Sequence, residues 1–355
     1  MIKILKLVLV PIGFVMLFVF GCSHPMLTVH DYADKQIVVI FLDKDDSYNY
    51  IRRSEFAKGM NLLNISIRLD QDLPEDNRDN ELIEYNKFIY EHLKDWCGYE
   101  RNIMWGATEE AIEELNLFEP TLLPDTLYFI NTSPSLEFNA FFTINKAVCV
   151  PSNMVWPILF HGMLKKYIAH EMFHIYSRYH KTERDSLYAL FNFYSVDTID
   201  TGELLKSKMI RNPDVHSNNY VFRTSDTAVV TKNLLLVVQL DENEYNDNRG
   251  ITSFLGGANI FGFFDPYFYE LDEIETNSFV VKNRMNPKNV ELNKFKSELD
   301  ASCGCLTEDR LFPEEMAADT FMFILKSRED SGMLEECSQR DKNIFEQFTR
   351  IIEKK

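Results

Sequence analysis

Tyr167–Tyr176 reads YIAHEMFHIY, with two histidines four positions apart, a glutamate directly after the first, and apolar residues through most of the remainder. On a helix, positions four apart differ by about 40° in direction, so His170 and His174 leave one face a turn apart and one imidazole nitrogen of each can reach a common ion. Glu171 leaves the helix about 100° from His170, which keeps it off the ion but close to a water held there. Ile168, Met172, Phe173 and Ile175 supply the apolar surroundings that bury such a helix. A core helix carrying these three polar groups by chance would have to bury them unpaired, at roughly 1–3 kcal/mol each. The pattern therefore predicts a metal site, in the geometry a zinc hydrolase needs.

Upstream, KQIVVIFLD (35–43) reads as a buried strand, ELIEYNKFIYEHLKDW (81–96) as an amphipathic helix and TEEAIEEL (108–115) as a short acidic helix. DTLYFINT (125–132) and FNAFFTINKAVCVP (138–151) read as strands, the second broken by a turn at Asn145-Lys146. The helix carrying the histidines is expected to end near Tyr179, and Thr182 with Glu183 to open the next one. Downstream, 227–240 and 263–272 read as extended or mixed, and the tail from Pro313 as helical. The expected class is α+β: an N-terminal mixed sheet at about 35–156, an active-site helix at about 158–180, and a helix-rich C-terminal part at about 182–355.

The quoted stretch resembles the zincin metallopeptidases, whose signature is HExxH on an active-site helix. The resemblance implies a zincin-like domain over 23–355, one zinc ion, His170 and His174 as ligands, Glu171 as general base, and peptides or proteins as substrate. Two residues compete for the third ligand position. HEMFHIYSRYH places His180 at the metzincin spacing, but the glycine that turns the metzincin chain back is Ser177 here. An unbroken helix would carry His180 about 15 Å along the axis from His170. FPEEMAADTFMF (312–323) resembles instead the second motif of gluzincins, ExxxD, which implies Glu315 as third ligand and Asp319 as the group that orients a ligand histidine. The bland reading of that string is that Glu314 and Glu315 complement a helix N-terminus. In zincins an edge strand before the active-site helix pairs with extended substrate, a place that 138–151 would fill. An oxyanion donor is also needed, and RNPDVHSNNYVF (211–222) offers His216 and Tyr220.

The chain opens with Lys3 and Lys6, an apolar run from Leu7 to Phe20, and Gly21-Cys22. That is the layout of a secretory signal, weighed here against an uncleaved anchor, which needs about 20 apolar residues. Val19-Phe20-Gly21-Cys22 resembles the bacterial lipobox, with a bulkier Phe20 than usual. The resemblance implies a signal peptide over 1–22, lipidation at Cys22, and a membrane-anchored lipoprotein of the bacterial cell envelope. A net charge of -18 opposes nucleic acid or an anionic bilayer as the main partner. Hydrophobic residues at 45% and aromatics at 13% describe a globular chain. Beyond Cys22 there are Cys97, Cys149, Cys303, Cys305 and Cys337, an odd number whose pairing the sequence leaves open. Cys303-Gly304-Cys305 is too closely spaced for the usual paired-cysteine zinc motifs. A second class stays open as well: a non-catalytic envelope lipoprotein that binds a partner, its metal structural or absent.

Overall fold

The computed structural model describes residues 27–32, 35–71, 78–115, 118, 122–155, 163–217, 219–224, 232–240, 264–290, 304–307 and 312–353. The leader, Cys22 and Cys303 lie outside the described residues. In chain order the N-terminal part runs β1 (Leu27–Tyr32), β2 (Lys35–Phe41), α1 (Lys44–Arg52), α2 (Glu55–Lys58), α3 (Leu62–Leu69), α4 (Arg78–His92), β3 (Leu93–Lys94), α5 (Gly98–Leu115), β4 (Thr126–Thr132), β5 (Phe142–Ile144) and β6 (Ala147–Pro151). The strands form one mixed sheet in the order β1-β2-β4-β6-β5, with β3 added to β4. β2, β4 and β6 run parallel, while β1 and β5 flank them antiparallel.

The alternation of strand side chains decides which helices cover which face. Ile37, Val39 and Phe41 of β2, Leu127 and Phe129 of β4, and Val148 and Val150 of β6 point into the main core. Ile130, Phe142, Ile144, Ala147 and Cys149 point the other way, onto Ile51, Ile65, Tyr85 and Ile89 of α1, α3 and α4. Both faces are buried, which is why these strands read as nearly continuous apolar runs. Asn145, at φ 51, turns β5 into β6, as expected of a two-residue hairpin loop. The helix expected at 81–96 ends at His92, because Leu93 and Lys94 pair with Thr132 and Asn131 of β4. The acidic stretch at 108–115 is only the last part of α5, whose earlier turns bury Met104 and Ala107.

The site helix α6 (Leu164–Tyr179) and α7 (Lys181–Ala189) follow. Then come β7 (Phe193–Ser195), β8 (Thr198–Asp200), α8 (Gly202–Lys208), β9 (Tyr220–Arg223), β10 (Asn233–Leu240), β11 (Phe264–Glu275), β12 (Ser278–Val281), β13 (Asn289–Val290), α9 (Pro313–Glu329) and α10 (Gln339–Ile352). The C-terminal part, expected to be helix-rich, has these helices and, among the described residues, also a second sheet of seven strands, ordered β7-β9-β10-β11-β12-β8 with β13 on β11. It is antiparallel apart from the β12–β8 pair. Phe222, Leu234 and Phe268 of this sheet enter the same core as α5, α6, α9 and α10, so one apolar interior spans both parts. The molecule is a mixed α/β architecture with two mixed sheets. Cys305 and Cys337 form a disulfide, and Cys97 and Cys149 are free. Among the described residues no helix is long and apolar enough to cross a membrane.

Candidate metal centre

α6 is unbroken from Leu164 to Tyr179, so its two histidines project one turn apart, with their Nε2 atoms 3.0 Å from each other. Glu315 arrives from α9. Pro313 opens that helix at a position where a missing N–H costs nothing, and the acidic pair Glu314-Glu315 sits in its first turn. Ala317 and Ala318 are fully buried, and Phe321 stacks on Phe173 of α6 at 4.8 Å, so the two helices lie close enough for Glu315 to reach both histidines. Its Oε2 stands 3.4 Å from His170 Nε2 and 3.3 Å from His174 Nε2. The other oxygen, Oε1, accepts the Asn212 side-chain N–H at 2.9 Å, which turns one oxygen only toward the histidines.

Charge in the cluster is strongly coupled. Burial works to raise the Glu315 carboxyl, but the charge of His174 and hydrogen bonds from His170 and His174 hold it well below the usual carboxylate range. Burial works against a charge on His174, yet the carboxylates of Glu315, Asp214 and Glu171 raise it to about 10. Glu171 is only 3% exposed, its Oε2 has no hydrogen-bond partner, and burial followed by the charge of Asp214 pushes it well up. Several buried carboxylates around two imidazoles make a site that favours a cation.

The donor set fits zinc. Two bonds of about 2.0–2.2 Å meeting at a tetrahedral angle place their donor atoms about 3.3–3.5 Å apart. In the His170, His174 and Glu315 triangle the two edges to Glu315 measure 3.4 and 3.3 Å and match that spacing, while the His170–His174 edge, at 3.0 Å, is shorter. Asp319, one turn beyond Glu315, brings Oδ1 to 3.8 Å from His170 Nδ1. No family model matches the chain, and no curated protein or solved structure is similar enough to match it.

Beside the triangle lies a cavity of about 240 Å³, reached by His170, Glu171 and Glu315 and walled mainly by Phe138, Phe141, Phe142, Ile210 and Phe312. Its lining also includes a buried ion pair: Arg68 Nε and Nη2 donate to the two oxygens of Glu137 at 2.7 Å each. Glu137, Phe138 and Asn139 are all left-handed, at φ 45, 59 and 66. Such residues cost about 1–2 kcal/mol each, and the bidentate Arg68 contact holds the turn in place.

Three contributors escape the sequence reading. Asn212 holds Glu315. Asp214, from the same segment, has a ligand atom that lies within 4.8 Å of those of Glu171 and His174. Arg178, one turn beyond His174, donates to Thr143 Oγ1 at 2.8 Å and Asn145 O at 2.6 Å. The only local signal is Asn-Pro-Asp itself, where Asn212 Oδ1 accepts the Asp214 N–H at 2.9 Å to close a turn.

Other expected residues are not brought to the centre. His180 caps α6, where its Nδ1 faces Tyr176 O at 2.9 Å, and its ring stacks on Tyr176. Ser177 keeps the helix going instead of turning it, and Thr182 lies inside α7 and not at its cap. Tyr220 lies in β9, where its hydroxyl donates to Asp185 Oδ1 and accepts from Arg184 Nε, both at 2.7 Å. Burial and that bond to Asp185 push its phenol far up. The pKa of His216 is lowered by desolvation of its ring and then by the charges of Arg184 and Arg178, which disfavours an imidazolium donor. Neither lines the cavity. β5 is the sheet edge, but the Thr143 N–H there is taken by Asp214 Oδ1 at 2.7 Å.

Proposed function

We propose that this chain is a zinc-dependent metallopeptidase of zincin-like, gluzincin-type build that hydrolyses peptide bonds of envelope peptides or proteins. The observation that carries the reading is the meeting of His170, His174 and Glu315, with donor atoms 3.0–3.4 Å apart, and an unpartnered Glu171 oxygen beside them. His170 and His174 would hold zinc by Nε2, and Glu315 by Oε2. A bound zinc would polarise the scissile carbonyl and make water more acidic. Glu171 takes the proton from the attacking water onto its free Oε2 and returns it to the leaving amine. The aromatic wall of the cavity receives an apolar side chain next to the scissile bond and excludes bulk water.

One observation favours the second reading, a partner-binding lipoprotein without catalysis. The Thr143 N–H that an extended peptide would use is occupied by Asp214, so such a substrate has to displace that carboxylate or approach elsewhere. The deciding experiment takes the chain lacking residues 1–22. It is expected to hold about one zinc per molecule and to cleave members of a peptide and envelope-protein library in a chelator-sensitive way, restored by zinc. Zinc-loaded, folded protein that cleaves no member of that library would favour the second reading.

We also propose that Cys22 carries the lipid anchor, on the strength of the Val19–Cys22 resemblance. Labelled fatty acid should enter the wild type and not Cys22→Ser, which should also lose cleavage of the leader. Membrane attachment of an unprocessed, unlabelled wild type would point to an uncleaved anchor.

A further inference from the structure

Asp319 meets the metal centre at one remove, and part of what holds it lies outside its own helix. Its Oδ1 faces His170 Nδ1 at 3.8 Å, while its Oδ2 accepts the Thr307 hydroxyl at 2.9 Å. Asp319 is a third exposed, and the Thr307 hydroxyl is one of the contacts that restrict the rotation of its carboxylate. Thr307 ends a four-residue segment pinned at successive positions. Gly304, at φ +56, lies so close to α10 that a Cβ would fall 1.8 Å from Asp341 Oδ1, which only glycine avoids. Cys305 is bonded to Cys337, and its N–H reaches Asp341 Oδ2 at 3.4 Å. Asp341 is itself buried and fixed in a capping box with Ser338. Leu306 enters the main core beside α9. Each pin restricts the segment, and together they place the Thr307 hydroxyl against Asp319.

We propose that Thr307 is a positioning residue of the metal centre: anchored by the Cys305–Cys337 disulfide, its hydroxyl fixes Asp319 so that the other carboxylate oxygen is presented to His170 Nδ1. The inference rests on the metal reading of the centre. An acceptor on Nδ1 keeps the proton on that nitrogen and leaves the Nε2 lone pair facing the ion.

The test is zinc affinity of the full chain, purified in detergent, by competition with a chromogenic chelator. Outer contacts of this kind are worth about ten- to a hundredfold in metal affinity, and a support one step further out should be worth less. Thr307→Val should weaken zinc binding by about three- to tenfold, with Thr307→Ser restoring it. Cys305→Ser combined with Cys337→Ser should move affinity the same way. Thr307→Val in an Asp319→Ala background should add nothing to the loss of zinc affinity, because the proposed effect on the metal passes through that carboxylate. Wild-type affinity in Thr307→Val, or a loss that adds in full to that of Asp319→Ala, overturns the proposal. If Thr307→Val does not fold, Thr307→Ala is read by the same two outcomes. Wild-type affinity in His170→Ala would overturn the metal centre itself, and the relay with it.

Discussion

Glu171→Gln is expected to keep the fold and about one zinc per chain while losing peptide cleavage by about 10²- to 10⁴-fold, the usual contribution of a positioned general base. Glutamine matches glutamate in shape, so the buried position next to His170 is filled as before. What disappears is the proton acceptor. Glu171 is not a corner of the ligand triangle, and its Oε2 has no protein partner to lose. The loss should therefore fall on kcat with zinc content unchanged, the signature of an interaction made only in the transition state. Undiminished cleavage by Glu171→Gln would remove the residue from the mechanism, and loss of zinc along with activity would make it a ligand.

How much of this was legible follows from where each residue sits. The histidine helix was, because spacing on a helix fixes direction: once 164–179 is helical, His170 and His174 must share a face. Glu315 was legible for the same reason, with Pro313 marking the helix start, although nothing in the sequence shows α9 packing on α6. That contact depends on Ala317, Ala318 and the Phe173–Phe321 stack, which read as ordinary apolar residues until the partner is known.

The loop residues were not legible. The segment 211–222 drew attention for His216 and Tyr220, the types with donor chemistry, yet it delivers Asn212 and Asp214. A loop side chain's direction depends on turn geometry and on what the loop lies across, and here that is Thr143 of the sheet edge and Glu315 of α9. Tyr220 failed for the complementary reason. It is the first residue of a four-residue strand, too short to show alternation, and its hydroxyl is committed to Arg184 and Asp185 on α7. The second sheet was legible only in its two long strands, β10 and β11, which fall within the stretches 227–240 and 263–272 that read as extended or mixed; its other five strands are of four residues or fewer and gain stability only from non-local pairing.

The ligand series should separate the candidates for the third position most sharply. Structural zinc sites reach roughly 10–16 kcal/mol, so among three or four ligands each accounts for about 3–4 kcal/mol, on the order of several hundredfold in affinity. His170→Ala and His174→Ala are each expected to abolish tight zinc binding, because the pair left behind has two donors on one side of the ion. Glu315→Ala should lose a comparable amount, and with it the one negative charge in the triangle. That charge matters in a buried site, where a cation taken out of water needs a carboxylate to offset its lost hydration. His180→Ala should leave affinity nearly unchanged, since its ring faces the Tyr176 carbonyl at the end of α6 and would need that turn to unwind before reaching the ion. Equilibrium dialysis on the four variants reads all of this at once. The reverse order, with His180→Ala losing zinc and Glu315→Ala retaining it, would require α6 to break at Ser177 on metal binding and would move the chain to the metzincin-like arrangement.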